Sequence, residues 1–247
     1  MEFLRRTPTG HPALGSATAV TAHAVSAGYD GKPVLHQLSA TFPRGQVTAL
    51  GGPNGAGKST LLGVLAGTHR PQEGSVTRHP AERIAFVVQR SAVSDRFPLT
   101  VRETVAMGRW GEYWLPRPPG RDDRGIIAEC LEVLGLDELA DRPLGSLSGG
   151  QRQRALVGQG LARRSSLLLL DEPIAGVDEH TQQIINTAIR SEADRGATVI
   201  VATHDPGQLA DADQELTMMG GRITAVRHGA TFAAARRDTL LPLDAGR

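Results

Sequence analysis

The chain has 247 residues, 40% of them apolar and 21% charged, and a formal net charge of +1. That suits one large globular domain or two small ones, and without a long basic run it offers no footing for a nucleic-acid partner. One cysteine, Cys130, excludes an internal disulfide framework; no apolar run is long enough to span a bilayer, and Met1–Arg6 lacks the apolar stretch of a signal peptide.

Residues 1–18 are rich in Thr, Pro, Gly and Ala, without periodicity, and read as a disordered extension. Strand-like runs follow at Ala19–Ala27, Val34–Phe42 and Gly45–Leu50, punctuated by Pro33 and Pro43-Arg44-Gly45. Lys58–Gly67 reads as a helix closed by glycine, and Ile84–Val88 as a short strand. Thr100–Met107, Arg121–Leu134 and Gly149–Arg163 read as helices, with a Pro/Gly-rich break at 116–120. Strand character returns at Ser166–Leu170 and Thr198–Ala202, with an amphipathic helix over about 179–195 between them. Short strands near Glu215–Met219 and Arg222–Val226 close the core, ahead of an Ala/Arg-rich tail. The expected layout is the extension 1–18, a domain over 19–230 with a helical part over about 90–163, and a tail 231–247.

Gly52-Pro53-Asn54-Gly55-Ala56-Gly57-Lys58-Ser59-Thr60 has the G-x-x-x-x-G-K-[ST] spacing of a phosphate-binding loop. Glycines let the backbone curl so that N–H groups point at an anion, and the helix that follows favours negative charge at its start. Lys58 can reach the β- and γ-phosphates, and Ser59 can put its hydroxyl on Mg²⁺. Only Lys32 and Lys58 are lysines in this chain. Where arginine serves elsewhere, a compact ammonium is kept in the loop.

The runs Val47–Leu50, Ile84–Val88, Leu167–Leu170 and Thr198–Ala202 are nearly all apolar, as strands buried on both faces of a parallel sheet are. Each runs into Gly, Gln89, Asp171-Glu172 or Thr203-His204. Ligands of open parallel sheets bind beyond the strands' carboxyl ends, so these residues converge beside the phosphate loop. Asp171 is placed to hold Mg²⁺, and Glu172, on the opposite face of the strand, to act as base on a water. His204 is placed to bond the γ-phosphate or to serve the structure alone, Gln89 to touch the metal or the water or to be an ordinary polar residue, and Tyr29 to stack on a purine or simply to pack. Ser148 with Gln151 three residues on forms a capping box, and Gly149 and Gly150 allow close backbone approach at a helix N-terminus. Cys130, among Ile126, Ile127, Leu131 and Leu134, reads as a core thiol.

Leu147-Ser148-Gly149-Gly150-Gln151, taken with the phosphate loop, resembles the ATP-binding subunit of ABC transporters. The likeness runs from Tyr29 to about Val226, with the motifs in the family's order. It implies an α/β fold: a P-loop ATPase core with a mainly parallel sheet, an antiparallel β part and a helical subdomain. It implies Mg²⁺-dependent ATP hydrolysis coupled to transport. Tyr29 would stack on adenine, Gly52–Thr60 would hold phosphates, and Ser59, Gln89 and Asp171 would serve Mg²⁺. Glu172 would be the base, His204 its orienting partner, and Gln89 a sensor. Two copies would sandwich two ATP molecules, with Ser148, Gly149 and Gly150 of one copy contacting the γ-phosphate held by Lys58 of the other, and with Gln151 and Asp178 among the nucleotide-binding residues. The expected partners are that second copy, membrane permease subunits and, indirectly, an extracytoplasmic substrate-binding protein, so the expected location is the cytoplasmic face of the membrane. Residues 95–101, Met107–Gly111 and Ala175-Gly176-Val177-Asp178 resemble the zinc/manganese importers. The alternatives are an importer of siderophore, haem or cobalamin, and a soluble non-transport ABC ATPase. A P-loop kinase would leave Leu147–Gln151 without a purpose. Gly158-Gln159-Gly160 departs from the family's usual Ala-Arg-Ala.

Overall fold

The structure, a computed structural model, describes residues 17–79, 82–88, 99–110 and 119–229. Most of the expected extension, Gln89, residues 90–98 and the tail 231–247 lie outside the described residues.

Two sheets pack around a helix. β1 (Thr18–Tyr29) and β2 (Lys32–Pro43) form an antiparallel hairpin, and β4 (Glu73–Arg78) pairs antiparallel with the other edge of β1. The hairpin turns at Asp30-Gly31, both at positive φ (48° and 75°), the backbone of a two-residue turn that matches strand twist. β4 is a strand the sequence reading omitted. Its alternation is weak because both of its faces are only partly covered.

The second sheet has the order β5-β6-β7-β3-β8-β9. β5 (Ile84–Val87), β6 (Leu167–Asp171), β7 (Thr198–Ala202), β3 (Val47–Gly51) and β8 (Gln214–Met219) run parallel. β9 (Arg222–His228) returns antiparallel to β8. The four apolar runs are therefore neighbours, as expected from their composition. Alternation splits their side chains between two cores. Leu167, Leu169, Ile200 and Leu50 face α1 (Lys58–Ala66) and the antiparallel sheet, while Leu168, Leu170, Val199 and Val201 face the other helices. α1 is buried on most sides between the sheets, and it ends where Gly67 takes φ 82°.

On the second face lie α2 (Val101–Ala106), α3 (Arg121–Val133), α4 (Gly149–Ala162) and α5 (Glu179–Asp194), followed by the short α6 (Pro206–Ala210). α2, α3 and α4 pack on one another. Arg109 ties them together: its Nε donates to Asp123 Oδ1 at 2.8 Å and its NH1 to Ala162 O at 3.0 Å. A four-member ion cluster then joins α3 to α5: Arg164 and Arg195 each pair with both Glu129 and Glu192. No helix among the described residues is long and apolar enough to cross a membrane.

Candidate functional site

β3 ends in the loop that opens α1. Gly52, Gly55 and Gly57 stand at φ 138°, 80° and 98°, where only glycine is unstrained. Space demands glycine too. A Cβ at Gly52 would collide with the Met218 carbonyl of β8, and one at Gly57 would lie 2.8 Å from Leu35 Cδ2 of β2. The loop is thus moulded by both sheets. α1 starts at Gly57 without a side-chain cap, so its first N–H groups are left for an anion or solvent. Lys58 is only 5% exposed, and its Nζ donates to Gly52 O (2.8 Å) and Pro53 O (3.2 Å). Those bonds park the ammonium over the loop. Pro53, Asn54, Gly55 and Ser59 are exposed, whereas Ala56 and Thr60 turn into the core.

Asp171 ends β6, and burial pushes its carboxyl pKa up. A hydrogen bond from Ser59 and the charge of Lys58 pull the other way, while Glu172 adds to the rise. Ser59, Lys58 and Asp171 therefore meet at one point. Asp171 Oδ1 is buried without a hydrogen-bond partner, which is costly for a protein alone. A hydroxyl and a carboxylate with an unspent oxygen are the donors that Mg²⁺ takes, so the residues fit that ion.

Glu172 does not continue the strand. Its φ is 48°, so strand alternation does not explain where it points; the expected opposite-face geometry gives way to a left-handed kink. The kink follows the end of β6, and the Glu172 N–H donates to Ala202 O of β7 at 2.9 Å. His204 Nδ1 lies 3.7 Å from Glu172 Oε1. Both line a cavity of about 100 Å³ together with Gly176, Gln182 and Asp205. His204 is held by its neighbours: Thr203 N–H donates to Leu50 O, and Asp205 N–H to Thr203 Oγ1 at 3.0 Å. The sequence places Thr203 at the end of the strand but gives it no task, and Asp205 goes unmarked, although Thr-x-Asp-Pro is a legible turn followed by a helix cap.

Ser148 caps α4: its hydroxyl accepts from Gln151 N–H at 3.3 Å, and Gln151 Oε1 accepts from Ser148 N–H at 3.0 Å. Gln151 Oε1 is thus engaged in the cap. A Cβ at Gly150 would lie 2.8 Å from Thr181 Oγ1 and 3.2 Å from Asp178 Oδ2, so its close approach is to α5 of the same chain. Asp178 caps α5, accepting from Thr181 N–H and Oγ1, and these bonds hold its pKa below the usual range. Tyr29, half exposed, stacks on His69 with ring centroids 4.5 Å apart and planes tilted by 37°. Lys58, Ser59, Asp171, Glu172 and His204 are brought to one sheet edge; Ser148–Gln151 and Asp178 form a second group where α4 meets α5.

The family described as ABC transporter matches residues 35–175. The zinc transport system ATP-binding protein TroB of Treponema pallidum (strain Nichols) is 36% identical, over 89% of this chain and 84% of its own length. The manganese transport system ATP-binding protein MntB of Halalkalibacterium halodurans is 37% identical, over 73% of this chain and 74% of its own. Among solved structures, an inward-facing ABC transporter described as metal-chelate type superposes with a TM-score of 0.75 at 32% identity, covering 85% of this chain and 83% of that one.

Proposed function

We propose that this chain, which belongs to the ABC transporter family and is an ATP-binding, ATP-hydrolysing subunit of it, powers import of a divalent metal ion, zinc or manganese. The observation that carries the catalytic part is the convergence of Lys58, Ser59, Asp171, Glu172 and His204 at the carboxyl edge of β3, β6 and β7. The metal reading is supported by the zinc and manganese systems in which the two relatives serve. A metal-chelate cargo is the second reading, supported by the metal-chelate neighbour.

Gly52–Gly57 cradle the triphosphate with backbone N–H groups, and Lys58 moves from the loop carbonyls onto it. Ser59 and Asp171 would hold Mg²⁺, which would supply neutralisation of phosphate charge during transfer. Glu172 takes the proton of the attacking water, and His204 orients that carboxylate and donates toward the γ-phosphate. Tyr29 stacks on adenine. Ser148, Gly149, Gly150 and Gln151 serve the site of a second copy, so the working unit is a dimer. The dimer sits on membrane permease subunits at the cytoplasmic face, fed by an extracytoplasmic binding protein.

The test is reconstitution with membrane permease subunits and a binding protein. ATP hydrolysis in proteoliposomes is expected to rise with binding protein loaded with Mn²⁺ or Zn²⁺ and to be unmoved by haem or siderophore complexes. Stimulation by chelates alone would replace the metal-ion reading with the second one.

A further inference from the structure

Gln153 has no part in the chemistry above. It lies in the second turn of α4 and is 3% exposed. Its Nε2 donates to the carbonyl oxygen of Pro173 at 2.8 Å. A carbonyl only accepts, so the amide nitrogen must face Pro173 and Oε1 is turned elsewhere. Oε1 is buried with no hydrogen-bond partner. A half-satisfied buried amide is a cost, and an unbranched apolar side chain of the same length would avoid it. Packing alone does not account for this side chain.

Its partner explains it. Pro173 directly follows Glu172, whose left-handed backbone (φ 48°) is strained for a residue with a Cβ. Such strain persists only where the surroundings over-determine it. Glu172 itself is held through its N–H by Ala202 O at 2.9 Å and through its carbonyl by Ala175 N–H at 3.2 Å. Pro173 has no N–H, so its carbonyl is the one backbone hydrogen-bonding group it offers. Gln153 grips that group.

We infer that Gln153 is a positioning residue for hydrolysis: its bond to the Pro173 carbonyl holds Glu172 in the kinked backbone that aims the carboxylate into the cavity shared with His204. The same α4 begins at Ser148–Gly150, so the bond also ties the turn offered to the second copy to the chain's own base. This rests on the reading of Glu172 as the base.

The assembled transporter carrying Gln153→Met, Gln153→Glu or Glu172→Gln tests it. Methionine keeps length and shape but cannot donate; a neutral-pH glutamate cannot donate either. For both Gln153 variants kcat is expected to fall by about 10- to 100-fold, the effect of a small misplacement of a catalytic group. KM for ATP and the affinity for a fluorescent ATP analogue should stay near the wild type, and Gln153→Met should melt at the wild-type temperature. A wild-type kcat in Gln153→Met overturns the inference. So does a loss of kcat, affinity and melting temperature together, which is what a purely structural role produces. Glu172→Gln separates the two ideas. If it turns over normally, the assignment of the base fails; if it stops turnover while Gln153→Met does not, only the positioning role fails.

Discussion

Cys130 shows how a single position responds to where it is buried. It is 3% exposed on the inner face of α3, and desolvation pushes its thiol pKa up to about 11, with Glu192 and Glu129 adding to the rise and Arg164 and Arg195 opposing it. The thiolate is the reactive form, so at pH 8 the native protein holds roughly 200-fold less of it than a free cysteine of pKa near 8.5. Iodoacetamide is expected to label the native chain at least that much more slowly than the chain in urea. The native rate should keep climbing with pH toward 11, whereas that of the unfolded chain levels off about 2.5 units lower. Equal rates in the two states, measured by mass spectrometry, would contradict the burial. At the same scale, the half-exposed Tyr29 ring rests against His69 of its own chain.

The helices show where glycine is a packing device. Gly158-Gln159-Gly160 departs from the family's usual residues, and α4 explains why. A Cβ at Gly158 would sit 2.9 Å from Leu134 Cδ1, and one at Gly160 would collide with Val87 Cγ2 of β5. Gly108 likewise leaves no room against the Gln159 carbonyl, so α4 lies unusually close to its neighbours. Valine is stiff at χ1 and cannot swing aside. For Gly160→Ala, overpacking of about 1–3 kcal/mol is therefore set against a helix-propensity gain of about 1 kcal/mol, and a net loss of stability is expected. Gly125 of α3 is the control. Nothing lies within 4 Å of a Cβ there, so Gly125→Ala should stabilise by about 1 kcal/mol. Urea unfolding reads both. The element-scale account fails if Gly160→Ala stabilises as much as Gly125→Ala.

At the scale of the whole molecule the two groups of site residues are built on different elements: the loop after β3 and the end of β6 carry one, the starts of α4 and α5 the other. Lys58 and Asp171 gather at the sheet edge, while Ser148–Gly150 pack where α4 meets Asp178 and Thr181. A dimer that joins the two groups in trans makes a specific demand. Ser148→Arg and Lys58→Ala subunits, each inactive with the permease, should recover part of the ATPase activity when mixed. One composite site then carries both lesions and the other carries neither. Crosslinks that place Ser148 beside Lys58 of its own chain would end the shared-site reading.

Much of this was written locally. The phosphate loop, the glycine stop of α1, the capping box of Ser148 and Gln151 and the apolar runs of β3, β5, β6 and β7 depend on residues a few positions apart, so they are legible without a fold. The convergence of Asp171, Glu172 and His204 also followed, because parallel strands deliver their carboxyl ends to one edge. The Asp30-Gly31 turn was legible in the same local sense, though Pro33 drew the reading instead. Tertiary structure alone decided the rest. The kink at Glu172 is set by β7 and α4, the closeness of α4 by Val87 and Leu134, and the role of Gln153 by a carbonyl twenty residues away in the chain. None has a local signature, because a buried donor or a missing Cβ takes its meaning from the atom it meets, and packing chooses that atom.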